Sequence, residues 1–120
     1  MALGKEIGDF SCKITSSSFS DDGATIDCDG TATNFGTILG TLTLSGPPGA
    51  RIGAASWRGN AFLENGEVLG AVGEGAYEAL GNHKWRTRLV ITISDGQILA
   101  SDGELDLAIR SLKGKNLEWS

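Results

Sequence analysis

A chain of 120 residues with a formal charge of −5 has room for one hydrophobic core, and it lacks the clustered Lys and Arg that a nucleic-acid backbone or an anionic membrane surface demands. Eighteen glycines against two prolines, spread among alternating apolar segments, indicate tight turns and curved strands rather than a disordered tail. Residues 1–10 have no apolar signal core, and no apolar run approaches the roughly 20 residues of a spanning helix, so the chain reads as one cytoplasmic domain over 1–120 with no nucleic-acid or membrane partner.

Helical apolar stripes are interrupted everywhere by glycine or by consecutive β-branched residues. Period-two alternation runs the length of the chain and predicts eight strands, near residues 6–20, 24–33, 37–44, 51–63, 67–79, 83–93, 97–111 and 115–119. The turns between them set the register, because a slip of one residue would put every apolar side chain on the wrong face.

Taken in order, Asp21-Asp22-Gly23 reads as a three-residue loop closed by glycine, which sets Ile14 opposite Gly30 and Ser18 opposite Ile26. It also sets Cys12 opposite Ala32 and Cys28 opposite Ser16, so the two cysteines read as buried free thiols rather than a cross-strand bridge. Asn34-Phe35-Gly36 sets Cys28 opposite Leu42 and Ile26 opposite Leu44. The longer Ser45–Ala50 connection switches the apolar parity from Leu42 and Leu44 to Ala55 and Trp57.

Two hairpins then share one frame, a Trp-Arg pair leading into an Asn-Gly or Asp-Gly turn. Around Glu64-Asn65-Gly66, Ala61 meets Leu69 and Trp57 meets Gly73. Around Ser94-Asp95-Gly96, Ile91 meets Leu99, Leu89 meets Ser101 and Trp85 meets Leu105; a two-residue loop there would mix charged and apolar faces. Between them Leu80-Gly81-Asn82 pairs Tyr77 with Trp85, and at the end Leu112-Lys113-Gly114 brings Leu117 to Ile109 and Trp119 to Leu107.

Every link is a hairpin. The predicted fold is therefore all-β, an antiparallel up-and-down meander of about eight strands, closed or nearly closed into a barrel to protect its edges. On the outer face, Lys84 falls between Glu78 and Asp106, Arg88 between Glu74 and Asp102, and Arg86 opposite Glu104. An anion site at Arg86 and Arg88, or a divalent-cation site at Asp102, Glu104 and Asp106, is weighed against a salt-bridge ladder, and the opposite charges in register favour the ladder.

Inside, tryptophans and aliphatic residues alternate with small ones, which suits either a plugged barrel or a smooth-walled cavity. Near one mouth the register stacks Tyr77, Trp85, Leu107 and Trp119, with His83 pointing inward. Tyr77, His83, Trp85 and Trp119, with Trp57 deeper on the inner face, are the candidate ligand-binding residues; an aromatic cap with His83 at the rim is the competing reading.

Known chemistry is sparse. One histidine rules out a multi-histidine metal site, the cysteine spacing offers no zinc pattern, and no Gly-x-Ser-x-Gly elbow is present. Gly70–Gly75 is glycine-rich but lies within a strand, and Asp27-Cys28-Asp29-Gly30 lacks the glutamate that closes a calcium loop. No catalytic residue, metal or cofactor is implied. In strand order, size and the glycine-alternating strand 70–81, the chain resembles the small eight-stranded barrels of the lipocalin-like and allene-oxide-cyclase-like groups. That resemblance implies binding, or cyclisation, of a hydrophobic molecule inside the barrel. Three functions follow as expectations: a binding module for a small hydrophobic or aromatic ligand, a cofactor-free isomerase or cyclase using His83 or Tyr77, and a plugged scaffold that forms homo-oligomers.

Overall fold

The computed structural model describes residues 3–119. Eight strands follow one another: β1 (Leu3–Ser20), β2 (Gly23–Ala32), β3 (Gly36–Ser45), β4 (Ile52–Phe62), β5 (Val68–Gly81), β6 (Lys84–Ile93), β7 (Ile98–Asp106) and β8 (Ser111–Trp119). Each pairs antiparallel with its sequence neighbours, and β1 pairs with β8, so the sheet closes into a barrel. Among the described residues there is no helix long and apolar enough to cross a membrane.

Two turns follow the sequence closely. Gly66 and Gly96 take φ values of 94° and 99°, in the left-handed region where a side chain would be strained. Leu63 N–H donates to Glu67 O at 2.9 Å and Ile93 N–H to Gln97 O at 2.9 Å, the pattern of a three-residue loop with a glycine bulge. The carboxamide of Asn65 and the carboxylate of Asp95 each accept the N–H two residues on, at 2.9 and 3.2 Å. The resulting registers set Ala61 opposite Leu69, Trp57 opposite Gly73 and Trp85 opposite Leu105. The Ser45–Ala50 connection likewise brings Leu44 to Ala55 and Leu42 to Trp57.

Four turns differ from expectation. Asp21-Asp22 form a two-residue turn that pairs Ser20 with Gly23, and an extra residue at Thr15 restores the parity, so Cys12 lies opposite Gly30 and Cys28 opposite Ile14. The next loop is Thr33-Asn34-Phe35, which slides the pairing by two residues to Cys28 with Gly40 and Ile26 with Leu42. Its cause is Phe35, which turns into the core and is buried.

At the third, Asn82 and His83 both take left-handed φ, 54° and 64°, in a two-residue turn, with a bulge at Leu80. Tyr77 therefore pairs with Thr87, and Trp85 with Ala79, rather than with each other. At the fourth, the chain turns at Leu107–Arg110, where Asp106 Oδ1 accepts the N–H of Ala108 at 3.0 Å. Strand β8 consequently starts at Ser111 and pairs Leu112 with Leu105, Asn116 with Ser101 and Leu117 with Ala100. Ile109 is exposed on the turn instead of lying in the core, and Trp119 pairs with Leu3 at the far mouth rather than with Leu107.

The corrected β5–β6 register rearranges the charged face. Arg86 faces Glu78 and Glu104, yet its guanidinium reaches diagonally to Asp102, with Nε at 2.9 Å and Nη2 at 2.6 Å from the two carboxylate oxygens. Arg88, opposite Ala76 and Asp102, pairs with Glu78 at 3.0 Å, and Lys84 sits beside Gly81 and Asp106. Arg86 holds the Asp102 carboxyl below its ordinary range, first through these hydrogen bonds. The ladder exists, one rung offset from its expected pairs. No group of His, Cys, Asp or Glu among the described residues is arranged to hold a metal ion.

Strand β1 is staggered. Phe10–Ser20 pair with β2, whereas Leu3–Lys13 pair with β8, so only the four residues from Phe10 to Lys13 have neighbours on both sides. That offset gives the closed sheet its tilt.

Candidate functional site

The interior is neither filled throughout nor open throughout. Ile26 on β2, Leu42 on β3 and Leu105 on β7 are the most deeply buried large side chains, at 0, 1 and 0% exposure. They form a plug across the barrel. The cluster around them includes Leu44, Ala55, Tyr77 and Leu89, and a second cluster of Ala32, Phe35, Ala61, Leu69, Ile93 and Leu99 packs towards the far mouth.

On one side of the plug a cleft of about 380 Å³ opens at the mouth shared by the β1–β2, β3–β4, β5–β6 and β7–β8 turns. Tyr77 from β5 and Trp85 from β6 form one wall, Ile26, Leu44 and Leu105 the floor, and Pro47, Pro48 and Phe19 the rim. Two features fix Tyr77. Gly53 lies opposite it, and a methyl added there would stand 2.6 Å from the ring, so the glycine makes room for the phenol. The hydroxyl donates to Ser45 O at 2.6 Å, tying the β3–β4 connection down over the ring. Its polar end is thereby engaged, and the ring presents apolar surface to the cleft.

On the other side of the plug is a small chamber of about 80 Å³ where the two core clusters meet. Trp57 lines it, its indole lying over the backbone of Gly40 and Gly59. Cys12 also lines it. Both cysteines are free and buried. Burial pushes the Cys12 thiol up to about 11, helped by nearby Asp29, and the Cys28 thiol up to about 12, helped by Cys12 and Asp27.

The structure thus distributes the five residues singled out from the sequence. Tyr77 and Trp85 share the cleft; Trp57 belongs to the chamber behind the plug; Trp119 ends β8 at the opposite mouth. His83 is exposed on the Asn82-His83 turn, where its carbonyl accepts the N–H of Leu107 at 3.0 Å. The reason in each case is a turn. The two-residue turn carries His83 outside the barrel. The early start of β8 shifts its pairing by an odd number of residues, so Glu118 lies opposite the inward Leu99 while Leu117 and Trp119, expected inside, turn to the outer face.

Sequence reasoning missed three buried polar residues on the chamber wall, Thr87, Ser101 and Asn116. The first two were within reach, since the β6–β7 register already placed Ser101 inward opposite Leu89 and Thr87 opposite Gly103. Asn116 could be recognised only with the correct β8 register. No protein-family model, curated protein or solved structure matches the chain.

Proposed function

We propose that this barrel is a binding module for a small, uncharged, largely apolar or aromatic molecule, seated in the cleft between Tyr77 and Trp85. The observation that carries the proposal is the cleft itself, about 380 Å³ and walled by two aromatic rings and aliphatic side chains. Its size falls within the roughly 300–1,000 Å³ of small-molecule sites. The likeness in layout to lipocalin-like and allene-oxide-cyclase-like barrels supports the same reading. The two free thiols support a reducing, cytoplasmic setting. The isomerase or cyclase alternative loses its motive, because His83 is exposed and the Tyr77 hydroxyl is engaged by Ser45.

The test is a titration with 1-aminoanthracene, a neutral tricyclic fluorophore. Wild-type protein is expected to bind it saturably with a rise in melting temperature, and Trp85→Leu to bind at least about tenfold more weakly, the equivalent of about 1.4 kcal/mol. Equal binding by the two proteins, or none by either, rejects the site. A second reading, self-association, rests on Phe62, Val68, Val72, Val90 and Ile98, which are exposed on the outer face of β4 to β7. Light scattering that returns a monomer at all concentrations removes it.

A further inference from the structure

The chamber behind the plug carries a second, separate site. Thr87 on β6, Ser101 on β7 and Asn116 on β8 stand on adjacent strands, with Ser101 directly opposite Asn116. Their exposures are 3, 8 and 8%, so all three are more than nine-tenths buried. Their side chains make no hydrogen bond to any described residue. Yet no side-chain polar atom among those residues is both sealed and unpartnered, so these hydroxyls and the carboxamide must front open space, and the space they line is the chamber. Apolar walls surround them, Phe10, Trp57, Leu89 and Leu112 among others.

A carboxamide brings two N–H donors and a carbonyl acceptor, and a hydroxyl can serve as either. Burying such groups without a partner is destabilising, and a barrel core has no need of them where leucine would fit. We infer that Thr87, Ser101 and Asn116 form a hydrogen-bonding subsite that accepts a short, uncharged primary amide.

Charge is disfavoured by the walls, which hold no ionisable side chain except the Cys12 thiol. Size excludes rings: about 80 Å³ is well below the roughly 150 Å³ that admits benzene in an engineered apolar cavity. A primary amide matches Asn116 reciprocally, its carbonyl accepting from Nδ2 and its N–H donating to Oδ1, while Ser101 and Thr87 rotate to suit the remaining group. The plug of Ile26, Leu42 and Leu105 keeps this site distinct from the aromatic cleft, so neither proposal depends on the other.

Acetamide is the probe, titrated into ¹⁵N-labelled protein while the Asn116 side-chain amide and the backbone amides of Thr87 and Ser101, which remain as reporters in the variants, are followed by nuclear magnetic resonance. Saturable shifts of that amide are expected at millimolar acetamide, unchanged in Trp85→Leu. Asn116→Leu is expected to bind at least tenfold more weakly and to melt no lower than wild type, and Ser101→Ala to weaken binding severalfold, which keeps the test open should Asn116→Leu misfold. No shift at Asn116, equal acetamide binding by Asn116→Leu or Ser101→Ala, or uptake of xenon in place of acetamide would overturn the assignment, since xenon reports a plain apolar void.

Discussion

Leu105→Ala tests whether the plug divides the barrel as described. Leu105 is fully buried in the same core cluster as Ile26 and Leu42 and forms part of the cleft floor. The substitution removes three carbon groups from an apolar setting, at about 0.8 kcal/mol each, so the transfer loss alone is about 2.4 kcal/mol. A residual space of about 60 Å³, at about 24 cal/mol per Å³, adds about 1.4 kcal/mol if the neighbours hold their places. They are held, since Ile26 and Leu42 sit on paired strands in the middle of the closed sheet. The expected destabilisation is therefore about 4 kcal/mol, or about 15 °C in melting temperature for a domain of this length. Urea unfolding followed by far-ultraviolet circular dichroism gives the first number and calorimetry the second. A loss below about 1.5 kcal/mol would mean that the strands collapse onto the gap. In that event the plug is not the rigid partition that keeps cleft and chamber apart.

The buried thiols make stability fall in alkali. Cys12 and Cys28 are raised from 9.0 to about 11 and about 12, so the folded state keeps protons that the unfolded chain releases. Their contribution is complete below about pH 9 and is lost as pH rises through 11 to 12; a Cys12→Ala/Cys28→Ala variant should show a shallower decline in melting temperature over that window, and an equal decline in both proteins would refute the assignment. Two glycines on β5 should respond to alanine to different degrees. At Gly75 a methyl would run into the Arg88 backbone, with its carbonyl carbon at 2.9 Å and Leu89 Cα at 3.0 Å, whereas at Gly70 the nearest atoms are 3.8 Å away. Chemical denaturation is expected to show Gly75→Ala costing about 2–3 kcal/mol and Gly70→Ala less than about 1 kcal/mol; similar values for the two would contradict the packing.

The fold class was legible because alternation and glycine-closed turns agree with each other. Asn65-Gly66 and Asp95-Gly96 could be read to the residue, since the side chain before each glycine accepts a local N–H and the glycine takes the left-handed angle. The same rule failed where glycine serves another purpose. Gly114 lies in mid-strand opposite Gly103, where an added methyl would stand 2.8 Å from the tip of Phe10, so that glycine makes room for a ring rather than a turn. The Asn82-His83 turn was hidden for the converse reason, two left-handed residues without glycine. The β2–β3 and β5–β6 errors slid strands by two residues, which preserves the inner face, whereas the β7–β8 error was an odd shift that exchanged Leu117 and Trp119 for Leu112 and Asn116 inside. The core outside β8 was therefore recognisable, as were the β6–β7 pairs of the charged face and Trp85 with Leu105, while the β5–β6 pairs that complete the cleft and the ladder were not. Only Tyr77 and Trp85 of the expected aromatic group meet in one place.

The stagger of β1 bears on how the barrel assembles. Seven of the strand pairings join consecutive segments and can form as hairpins soon after they are synthesised, but Leu3–Asp9 have their ladder partner only in Lys115–Trp119. Apart from Asp9, whose N–H and carbonyl bond Thr33, the first half of the first strand thus waits for its ladder until the last strand is complete. Closing that seam spans nearly the whole chain and carries the largest loop-closure entropy in the fold. The slowest ordering step, and the interval most exposed to pairing with another chain, should accordingly lie at the junction of the two termini rather than in any hairpin.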